Sequence, residues 1–368
     1  MIGVVMTTIT FPKNLEDLLK SYKGNEDLKI IIVGDHKTPD YSDKLPEGVE
    51  LFKIKDQKRW LKETFDPNKF NLYWRVFQEN NYQRRIIGFL KAVQEGSKYI
   101  VALDDDNYPR EREDLISKHV EVLKGHQIRV ISSNLKYVNL LSFLEYPSKD
   151  KFRIYVRGYP LHLRGDPVYE IRDTKGKIAV NVGLWEGSPD MEALSRLVHG
   201  DIQVKADPRL STLALDTGTY TSMCLQNIAF RKEYLLLQYE FPMNVPIEGI
   251  SLGRYDDIWG GYVCKKLLDQ VGSYMTFGVP VARHIRHPHS VIKDFLNEFW
   301  GMFLNLFFFT AIQEIVLEET KDLIVMYAEL VTKLSKSLQF NSQGINKYFF
   351  RVWNDMLLWA EMVERILF

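Results

Sequence analysis

Residues 99–106 read Tyr-Ile-Val-Ala-Leu-Asp-Asp-Asp, an apolar run of strand character that ends in three consecutive carboxylates. Adjacent carboxylates repel one another unless they share a cation. Mg²⁺ and Mn²⁺ prefer oxygen ligands and are held by one or two protein carboxylates together with phosphate oxygens of a substrate. Acidic triplets also occur as solvated loops, but the position directly after a strand favours function. The triplet therefore predicts a Mn²⁺ or Mg²⁺ site that uses Asp104 and Asp106.

Short apolar runs on either side of this strand alternate with amphipathic segments. The predicted strands cover residues 2–9, 28–33, 49–54, 99–103 and 128–132. The predicted helices cover residues 14–22, 80–94 and 112–123. This alternation is typical of α/β proteins with a mostly parallel sheet flanked by helices. Ligands of such sheets bind at the carboxyl ends of the strands, where the acidic triplet stands.

The second half of the chain changes character towards its end. Further strands are predicted at residues 153–156 and 177–182, and further helices at 189–198 and 257–271. From residue 291 onward the spacing is helical, with a break at 341–344. We therefore predict an α/β domain at residues 1–290 and a helical C-terminal appendage at residues 291–368.

Two aromatic or apolar segments have competing interpretations. Six Phe, Tyr and Trp residues lie among Lys and Arg between Asp56 and Tyr82, and we interpret this segment as an insertion packed onto the body, with a mobile flap as the alternative. Residues 299–312 are apolar but interrupted by Gly301 and Asn305, and they fall short of the roughly 20 apolar residues of a membrane span. We predict no transmembrane segment and a core or interface helix, with peripheral membrane contact as the alternative.

Composition excludes several classes of function. The 368 residues balance 48 Lys and Arg against 48 Asp and Glu, so no overall field attracts polyanions and nucleic acid is not an expected partner. The two cysteines, Cys224 and Cys264, belong to no CxxC pair, which argues against structural zinc and favours a reducing cytoplasm. The chain enters an apolar strand at Ile2 without a basic leader, so no signal peptide is expected.

Polar residues near the same sheet edge are candidate ligand contacts. Asp35 follows the second predicted strand, where it can accept hydrogen bonds from a base or ribose or, equally, form a turn. Arg84 and Arg85 open the helix before the acidic strand, and either guanidinium can clamp a phosphate. At least one of the two is expected to be a solvated helix charge instead.

Histidine near the end of the α/β part adds a candidate metal ligand. His284, His287 and His289 follow the apolar run 275–281, and one of them is predicted to complete the metal shell begun by the triplet. A zinc site of the three histidines themselves is disfavoured, because their spacing suits neither a helix face nor a known zinc loop.

Residues 253–260 place Asp256 and Asp257 at a predicted helix start. Helix capping by the two carboxylates is the simple explanation. Arg254, Tyr255 and Trp259 crowd the same short stretch, however, and this combination also suits a sugar site in which carboxylates bind hydroxyls and an aromatic ring covers the sugar.

Several blocks in register between residues 85 and 290 resemble the reversibly glycosylated polypeptides, also called UDP-arabinopyranose mutases, which are classed among the GT-A glycosyltransferases. The matching residues are 85–88, 99–106, 156–160 with Leu163-Arg164, 183–185 with Pro189-Asp190, 223–224 with 227–230, 253–257 with Trp259, and His284. The family continues after its triplet with small and apolar residues, whereas this chain has Asn107-Tyr108-Pro109, so the sugar subsite is expected to differ.

The resemblance implies a GT-A-like, metal-dependent enzyme that binds a UDP-sugar, transfers the sugar to its own arginine and contracts the sugar ring from pyranose to furanose. It also implies a homo-oligomer. The implied catalytic residues are Arg157, Asp256 and Asp257, and the implied metal ligands are Asp104, Asp106 and His284. The implied nucleotide-sugar contacts are Asp35, Arg85, Asp104, Asp105, Arg164, Trp185, Asn227 and Arg254.

The chemistry leaves alternatives open. A guanidinium is protonated at neutral pH and is a poor nucleophile, so Arg157 needs a neighbouring carboxylate such as Asp256 or Asp257, or else only binds phosphate. A glycosyltransferase with an external acceptor would share the fold and metal site. A non-catalytic partner subunit is the third possibility, with the aromatic residues 307–309 and 353–359 as an oligomer interface.

Overall fold

The computed structural model of the chain describes residues 1–111, 113–147, 153–207, 209–286, 290–320 and 322–368. The strands are β1 Ile2–Thr8, β2 Leu28–Gly34, β3 Val49–Phe52, β4 Tyr99–Leu103, β5 Asn107–Pro109, β6 Gln127–Ser133, β7 Leu144–Glu145, β8 Tyr169–Lys175, β9 Lys177–Gly187, β10 Lys205–Ala206, β11 Leu213–Leu215, β12 Asn227–Arg231, β13 Val245–Ile247, β14 Ile250–Leu252 and β15 Ser273–His284. The helices are α1 Leu15–Ser21, α2 Ile54–Thr64, α3 Phe70–Val76, α4 Arg85–Gln94, α5 Leu115–Lys124, α6 Ala193–His199, α7 Asp256–Gln270, α8 Val291–Glu314, α9 Leu323–Ser337 and α10 Gln343–Leu367. The predicted helix start at Arg112, together with His287 and His289, lies outside the described residues.

The central sheet has the strand order β3-β2-β1-β4-β12-β9-β15-β11-β6-β8, and β5 pairs with β15. β3, β2, β1 and β4 are parallel neighbours, as expected when helices connect successive strands. β12 runs antiparallel between β4 and β9, and β15 runs parallel to β9. The predicted α/β architecture, with a large and mostly parallel sheet between helices, is confirmed. Among the predicted strands of this sheet, β6 differs in direction: it is parallel to β11, which is antiparallel to β15, so β6 runs against β1 to β4.

Residues 153–156 do not form the predicted strand. Val156 makes one isolated bridge to Met191, and the backbone N–H of Arg157 donates to the carbonyl of Asp190 at 3.0 Å. The side chain of Asn139 accepts from the N–H of Val156 at 3.1 Å, so this backbone is satisfied without joining a sheet. The segment therefore pairs with the loop before α6, and this pairing brings Arg157 beside Asp190.

Residues 56–82 pack onto the body, as predicted, and do not stand off as a flap. Phe65, Tyr73 and Phe77 are buried in the main hydrophobic cluster, and the ring of Trp60 contacts Phe52 and Phe65 edge-on. The segment forms α2 and α3, and α3 packs against the C-terminal helix α10.

The two residues that interrupt the apolar stretch of α8 each have a packing role. A Cβ at Gly301 would overlap the buried ring of Tyr255, so only glycine allows α8 to approach the start of α7 this closely. Asn305 accepts a hydrogen bond from the indole N–H of Trp259 at 3.1 Å and donates to the carbonyl of Gly158 at 2.9 Å. α8 therefore belongs to the same hydrophobic cluster as the α/β body and fixes two segments that carry predicted site residues.

α8 is the one helix among the described residues that is long and apolar enough to cross a membrane, with 24 residues, but half of its most apolar window is buried inside the protein. The predicted oligomer surface at residues 307–309 and 353–359 is mostly wrong in position. Phe308, Phe309, Trp353 and Trp359 are buried within the chain, because α8 and α10 pack their aromatic faces together. The homo-oligomer itself stays a prediction.

Replacing Gly301 by Ala is expected to lower the free energy of unfolding by about 1–3 kcal/mol, because the added methyl group must displace the ring of Tyr255. Chemical denaturation measures this loss. Gly344→Ala in the first turn of α10 is the matched control, since the nearest atom to its Cβ would be the flexible Glu248 carboxylate at 3.2 Å, and it should stay within about 1 kcal/mol of wild type. Equal stabilities for the two variants would contradict the packing argument.

Candidate active site

A cavity of about 460 Å³ opens at the carboxyl ends of β1, β2 and β4, beside the start of α7. The position agrees with the rule for parallel sheets, whose strand ends supply polar groups to ligands. Ten of the predicted site residues line it: Asp35, Arg85, Asp104, Asp105, Asp106, Arg157, Arg254, Asp256, Asp257 and His284. Folding thus brings together residues as far apart in the chain as Asp35 and His284, which are separated by 249 positions.

The acidic triplet is held by groups from α4 and β1. The guanidinium of Arg85 donates to Oδ1 of Asp104 at 2.9 Å, and the hydroxyl of Thr8 donates to Oδ2 of Asp105 at 2.6 Å. Burial raises the pKa of Asp104, and the neighbouring Asp106 and Asp105 add to that rise, while Arg85 opposes it. Three carboxylates crowded at one strand end repel one another, and a cation bound among them relieves that repulsion.

His284 faces the triplet with a fixed tautomer. Its Nδ1 lies 2.6 Å from the carbonyl oxygen of Ser188, which can only accept, so Nδ1 must carry the proton. Nε2 then lies 3.3 Å from Oδ2 of Asp106. If the imidazole is neutral, Nε2 and Oδ2 of Asp106 are both acceptors and face each other. Either Nε2 is protonated or a cation lies between Nε2 and the carboxylate. This arrangement fits a metal ion at Asp106 and His284.

Among the residues described, no group of three or more His, Cys, Asp or Glu side chains is arranged so that it could hold a metal ion unaided. Asp104, Asp106 and His284 are thus not a preformed three-ligand cage. Mg²⁺ and Mn²⁺ commonly take only one or two protein ligands and fill the remaining positions with water and phosphate oxygens. The residues present fit that manner of binding.

Arg157 is almost fully buried in the wall of the cavity and is paired with two carboxylates. Its Nη1 and Nη2 donate to the two oxygens of Asp257 at 2.8 Å each, and its Nε donates to Asp190 at 3.0 Å. Nη1 also donates to the backbone carbonyl of Arg254, a non-glycine residue held at a φ of +60°. Burial alone would lower the pKa of Arg157, but the two aspartates raise it well above its ordinary value. The guanidinium is therefore a protonated cation in the free protein.

Asp190 and Glu240 are site residues to which the sequence analysis gave no role. Burial works against ionisation of Asp190, but Arg157 and Arg254 outweigh it and hold its pKa well below the usual range. Glu240 lies beneath the cavity, 3.4 Å from Nε of Arg85, with no accessible surface. Asp190 stood inside a matching block of the sequence, which was a usable signal. Glu240 had none, since only folding brings it to the site.

Asp35 and Arg84 both line the cavity and also make structural contacts with the surrounding chain. The carboxylate of Asp35 accepts from the N–H of His36 at 2.7 Å, as in a turn, and lies 3.4 Å from Nε of Arg84. Arg84 is 1% exposed, and its other nitrogens donate to Gln57 and to the carbonyl of Phe77. The expectation that Arg84 or Arg85 is a solvated helix charge is wrong, because both are buried and paired with carboxylates.

Three predicted nucleotide-sugar contacts lie away from the cavity and are corrected here. Trp185 is 0% exposed within β9, so its ring is unavailable for stacking on a sugar. Asn227 is equally buried, and its Oδ1 lies 2.9 Å from Nε2 of His119 while its amide donates to the backbone carbonyls of Leu184 and Pro280. The side chain of Arg164 bonds Glu192 and covers the ring of Tyr155 at 4.5 Å. All three serve packing because the sheet core and the 189–192 loop enclose them.

α/β proteins with a mostly parallel sheet bind their ligands at the carboxyl ends of the strands, and the fold and cavity define a protein of that class. A model of the reversibly glycosylated polypeptide family matches residues 1–366, and the chain therefore belongs to this family. It is similar to the probable UDP-arabinopyranose mutase 1 of Pisum sativum, with 27% identity over 99% of this chain and 91% of that protein. With UDP-arabinopyranose mutase 1 of Arabidopsis thaliana it shares 26% identity over 77% of this chain and 72% of that protein. Among solved structures, a mycobacterial protein aligns at 11% identity over 87% of this chain and 78% of its own, with a TM-score of 0.40, which is too distant to support a functional comparison.

Replacing Asp257 by Asn is expected to lower the free energy of unfolding by about 1–3 kcal/mol. The NH2 group of asparagine is a donor, and it would face the N–H donors of the buried Arg157 guanidinium. Urea denaturation measures the change. Asp201→Asn is the control: Asp201 also bonds an arginine but is 70% exposed, so its loss should cost less than about 0.5 kcal/mol. A stability of Asp257→Asn equal to that of the control would contradict the role assigned to the buried pair.

Proposed function

We propose that the protein is a UDP-sugar mutase that interconverts the pyranose and furanose rings of a UDP-pentose, with UDP-arabinose as the first candidate and with the sugar held transiently on Arg157. Family membership and the names of the relatives support this proposal. The observation that carries it is the placement of Arg157 in the same cavity as the acidic triplet and next to Asp257. The cavity volume of about 460 Å³ lies within the range of small-molecule and cofactor sites.

Residues on two sides of the cavity bind the UDP-sugar. Asp35 and the β1 and β2 ends face the nucleoside, and Arg85 supports Asp104. Asp104, Asp106 and His284 would hold Mn²⁺ or Mg²⁺, which when bound neutralises charge on the diphosphate. Asp190 and Asp257 orient Arg157, because each of them accepts a hydrogen bond from a terminal nitrogen of its guanidinium.

The covalent step requires that Arg157 lose a proton. As a terminal nitrogen bonds the anomeric carbon, the bond from that carbon to the diphosphate oxygen breaks and its electron pair leaves with UDP. The displaced nitrogen proton passes to Asp257, whose Oδ2 lies 2.8 Å from Nη2. The reverse sequence returns the sugar to UDP and the proton to Arg157, so the protein ends unchanged.

A glycosyltransferase with an external acceptor is the second candidate. The observation that favours it is the double pairing of Arg157, which stabilises the protonated and therefore non-nucleophilic guanidinium. In that case Arg157 binds the substrate electrostatically and the cavity mouth admits a second substrate.

Binding of UDP is expected to weaken at least about tenfold when Mn²⁺ is removed with a chelator, because the triplet then repels the diphosphate. Isothermal titration with UDP, with and without Mn²⁺, measures the effect. The double substitution Asp104→Ala, Asp106→Ala should abolish the response to Mn²⁺, whereas Asp166→Ala, at a side chain that is 99% exposed, should leave it intact. UDP affinity that ignores Mn²⁺ and survives the double substitution would refute the metal site.

Incubation with a UDP-pentose is expected to add the mass of one sugar residue to the intact protein, and Arg157→Lys should prevent it. Intact-protein mass spectrometry measures the adduct. Lysine preserves the buried charge between Asp190 and Asp257, and thermal unfolding with UDP binding verifies that the variant is folded. Arg164→Lys, outside the cavity, should keep the adduct. An unmodified wild type that consumes the donor only when an acceptor alcohol is present would support the second candidate instead.

A further inference from the structure

Arg254 and Arg286 line the cavity, and the C-terminal helix α8 holds both of them. Asp294 and Glu298 lie one turn apart on this helix, and both are buried. Nε of Arg254 donates to Oε1 of Glu298 at 2.8 Å, and Nη2 of Arg286 donates to Oδ2 of Asp294 at 2.5 Å. Oδ1 of Asp294 also lies 4.0 Å from Nη1 of Arg254, so one carboxylate is close to both guanidinium groups.

The two carboxylates hold the arginines from the side away from the cavity. Of the described residues, Arg254 and Arg286 line the cavity, and Asp294 and Glu298 do not. The orientation of Glu298 is fixed in turn, because its Oε2 accepts a hydrogen bond from the backbone N–H of Ala193 at 2.8 Å. The cationic groups therefore face the space that a ligand would occupy, while the carboxylates that position them are packed behind.

Both arginines retain hydrogen-bond donors that the protein does not use. A guanidinium carries five N–H donors. Within the described part of the chain, the terminal nitrogens of Arg254 make no hydrogen bond, since Asp190 and Asp294 are 3.9 and 4.0 Å away. Arg286 uses only Nη2 in that part of the chain, toward Asp294. The remaining donors are offered to the cavity, and a phosphate group suits them because it accepts paired N–H bonds from guanidinium.

The positions of the two arginines indicate which phosphate they would bind. The backbone N–H of Ile285, the residue before Arg286, donates to the carbonyl of Asp106 at 3.0 Å, so Arg286 lies next to the acidic triplet. The backbone carbonyl of Arg254 accepts from Nη1 of Arg157. In the proposed reaction the triplet is beside the diphosphate and Arg157 is beside the anomeric carbon. The terminal phosphate of UDP joins these two positions, because its oxygen is bonded to that carbon.

Departure of the sugar adds negative charge to that phosphate. When the bond from the anomeric carbon to the phosphate oxygen breaks, the electron pair stays on the oxygen. Donors that are fixed before the reaction stabilise this developing charge more strongly than they stabilise the intact UDP-sugar. The same contacts would retain UDP while the sugar is on the protein, and the return of the sugar to UDP requires such retention.

We propose that Arg254 and Arg286 bind the terminal phosphate of UDP, and that Asp294 and Glu298 are positioning residues that aim the two guanidinium groups at it. This inference rests on the proposed function, in which UDP is the leaving group. It narrows the nucleotide-sugar contact predicted for Arg254 to one phosphate, and it adds Arg286, to which the sequence analysis gave no role. It also gives the C-terminal helix α8 a part in substrate binding.

The test is Arg286→Met, with isothermal titration of UDP and of UMP at one saturating concentration of Mn²⁺. UMP differs from UDP only in lacking the terminal phosphate. We expect the affinity for UDP to fall at least about tenfold, because charge-assisted hydrogen bonds to that phosphate are lost, and the affinity for UMP to stay within about threefold. Thermal unfolding verifies that the variant is folded.

Arg164→Met is the matched control, since Arg164 also bonds a buried carboxylate, that of Glu192, but lies outside the cavity. Its affinities for UDP and UMP should equal those of wild type. An unchanged affinity for UDP in Arg286→Met, or an equal loss for UDP and UMP, overturns the inference, because a merely structural role would not distinguish the two nucleotides.

Arg286→Lys decides the question if Arg286→Met does not fold. Lysine keeps a cation beside Asp294 but cannot present two N–H groups in one plane to a phosphate. We expect a loss of at least about threefold for UDP and none for UMP, and an unchanged affinity for UDP overturns the inference.

These titrations need no turnover, so they separate the inference from the proposed function. A wild type that converts no UDP-pentose, together with a loss in Arg286→Met that is confined to UDP, refutes the mutase and supports the phosphate site. A wild type that binds neither nucleotide overturns both.

Discussion

The buried guanidinium of Arg157 is the group around which this molecule is organised. A charge removed from water must be paired and hydrogen-bonded, and here two carboxylates meet that need from segments 33 and 100 residues further along the chain. Asp190 comes from the loop before α6, and Asp257 comes from the first turn of α7. The pairing therefore ties an irregular segment, a loop and a helix to one point, and the cavity forms where they converge.

Arg85 plays the corresponding role on the other side of the cavity. It joins Asp104 at the end of β4 to Glu240, so the sheet edge that carries the acidic triplet shares one cation with the segment before α7. The C-terminal helices complete this arrangement from behind. Asn305 of α8 bonds both Trp259 on α7 and the carbonyl of Gly158, next to Arg157. Asn305 interrupts the apolar sequence of α8, and its hydrogen bonds connect α8 to the segments that carry the site.

The charged groups of this site stand in close pairs. Arg85 and Arg157 are each bonded to carboxylates, and burial raises the pKa of Asp104. In the proposed mutase, the acidic triplet would hold a divalent cation against the diphosphate, and Arg157 would hold the sugar between its departure from the diphosphate and its return.

The sequence by itself determined the α/β class, the acidic triplet at a strand end and the cluster around Asp256, because apolar periodicity and local charge crowding are properties of short segments. The same local reading placed Trp185 and Asn227 at the site, since a matching block does not say which side of a strand faces a ligand. It assigned nothing to Glu240 and expected a solvated charge at Arg84 or Arg85. Only the tertiary structure decided these points. Burial and pairing between residues 155 positions apart, such as Arg85 and Glu240, depend on how the chain returns to one place, and no local pattern records that.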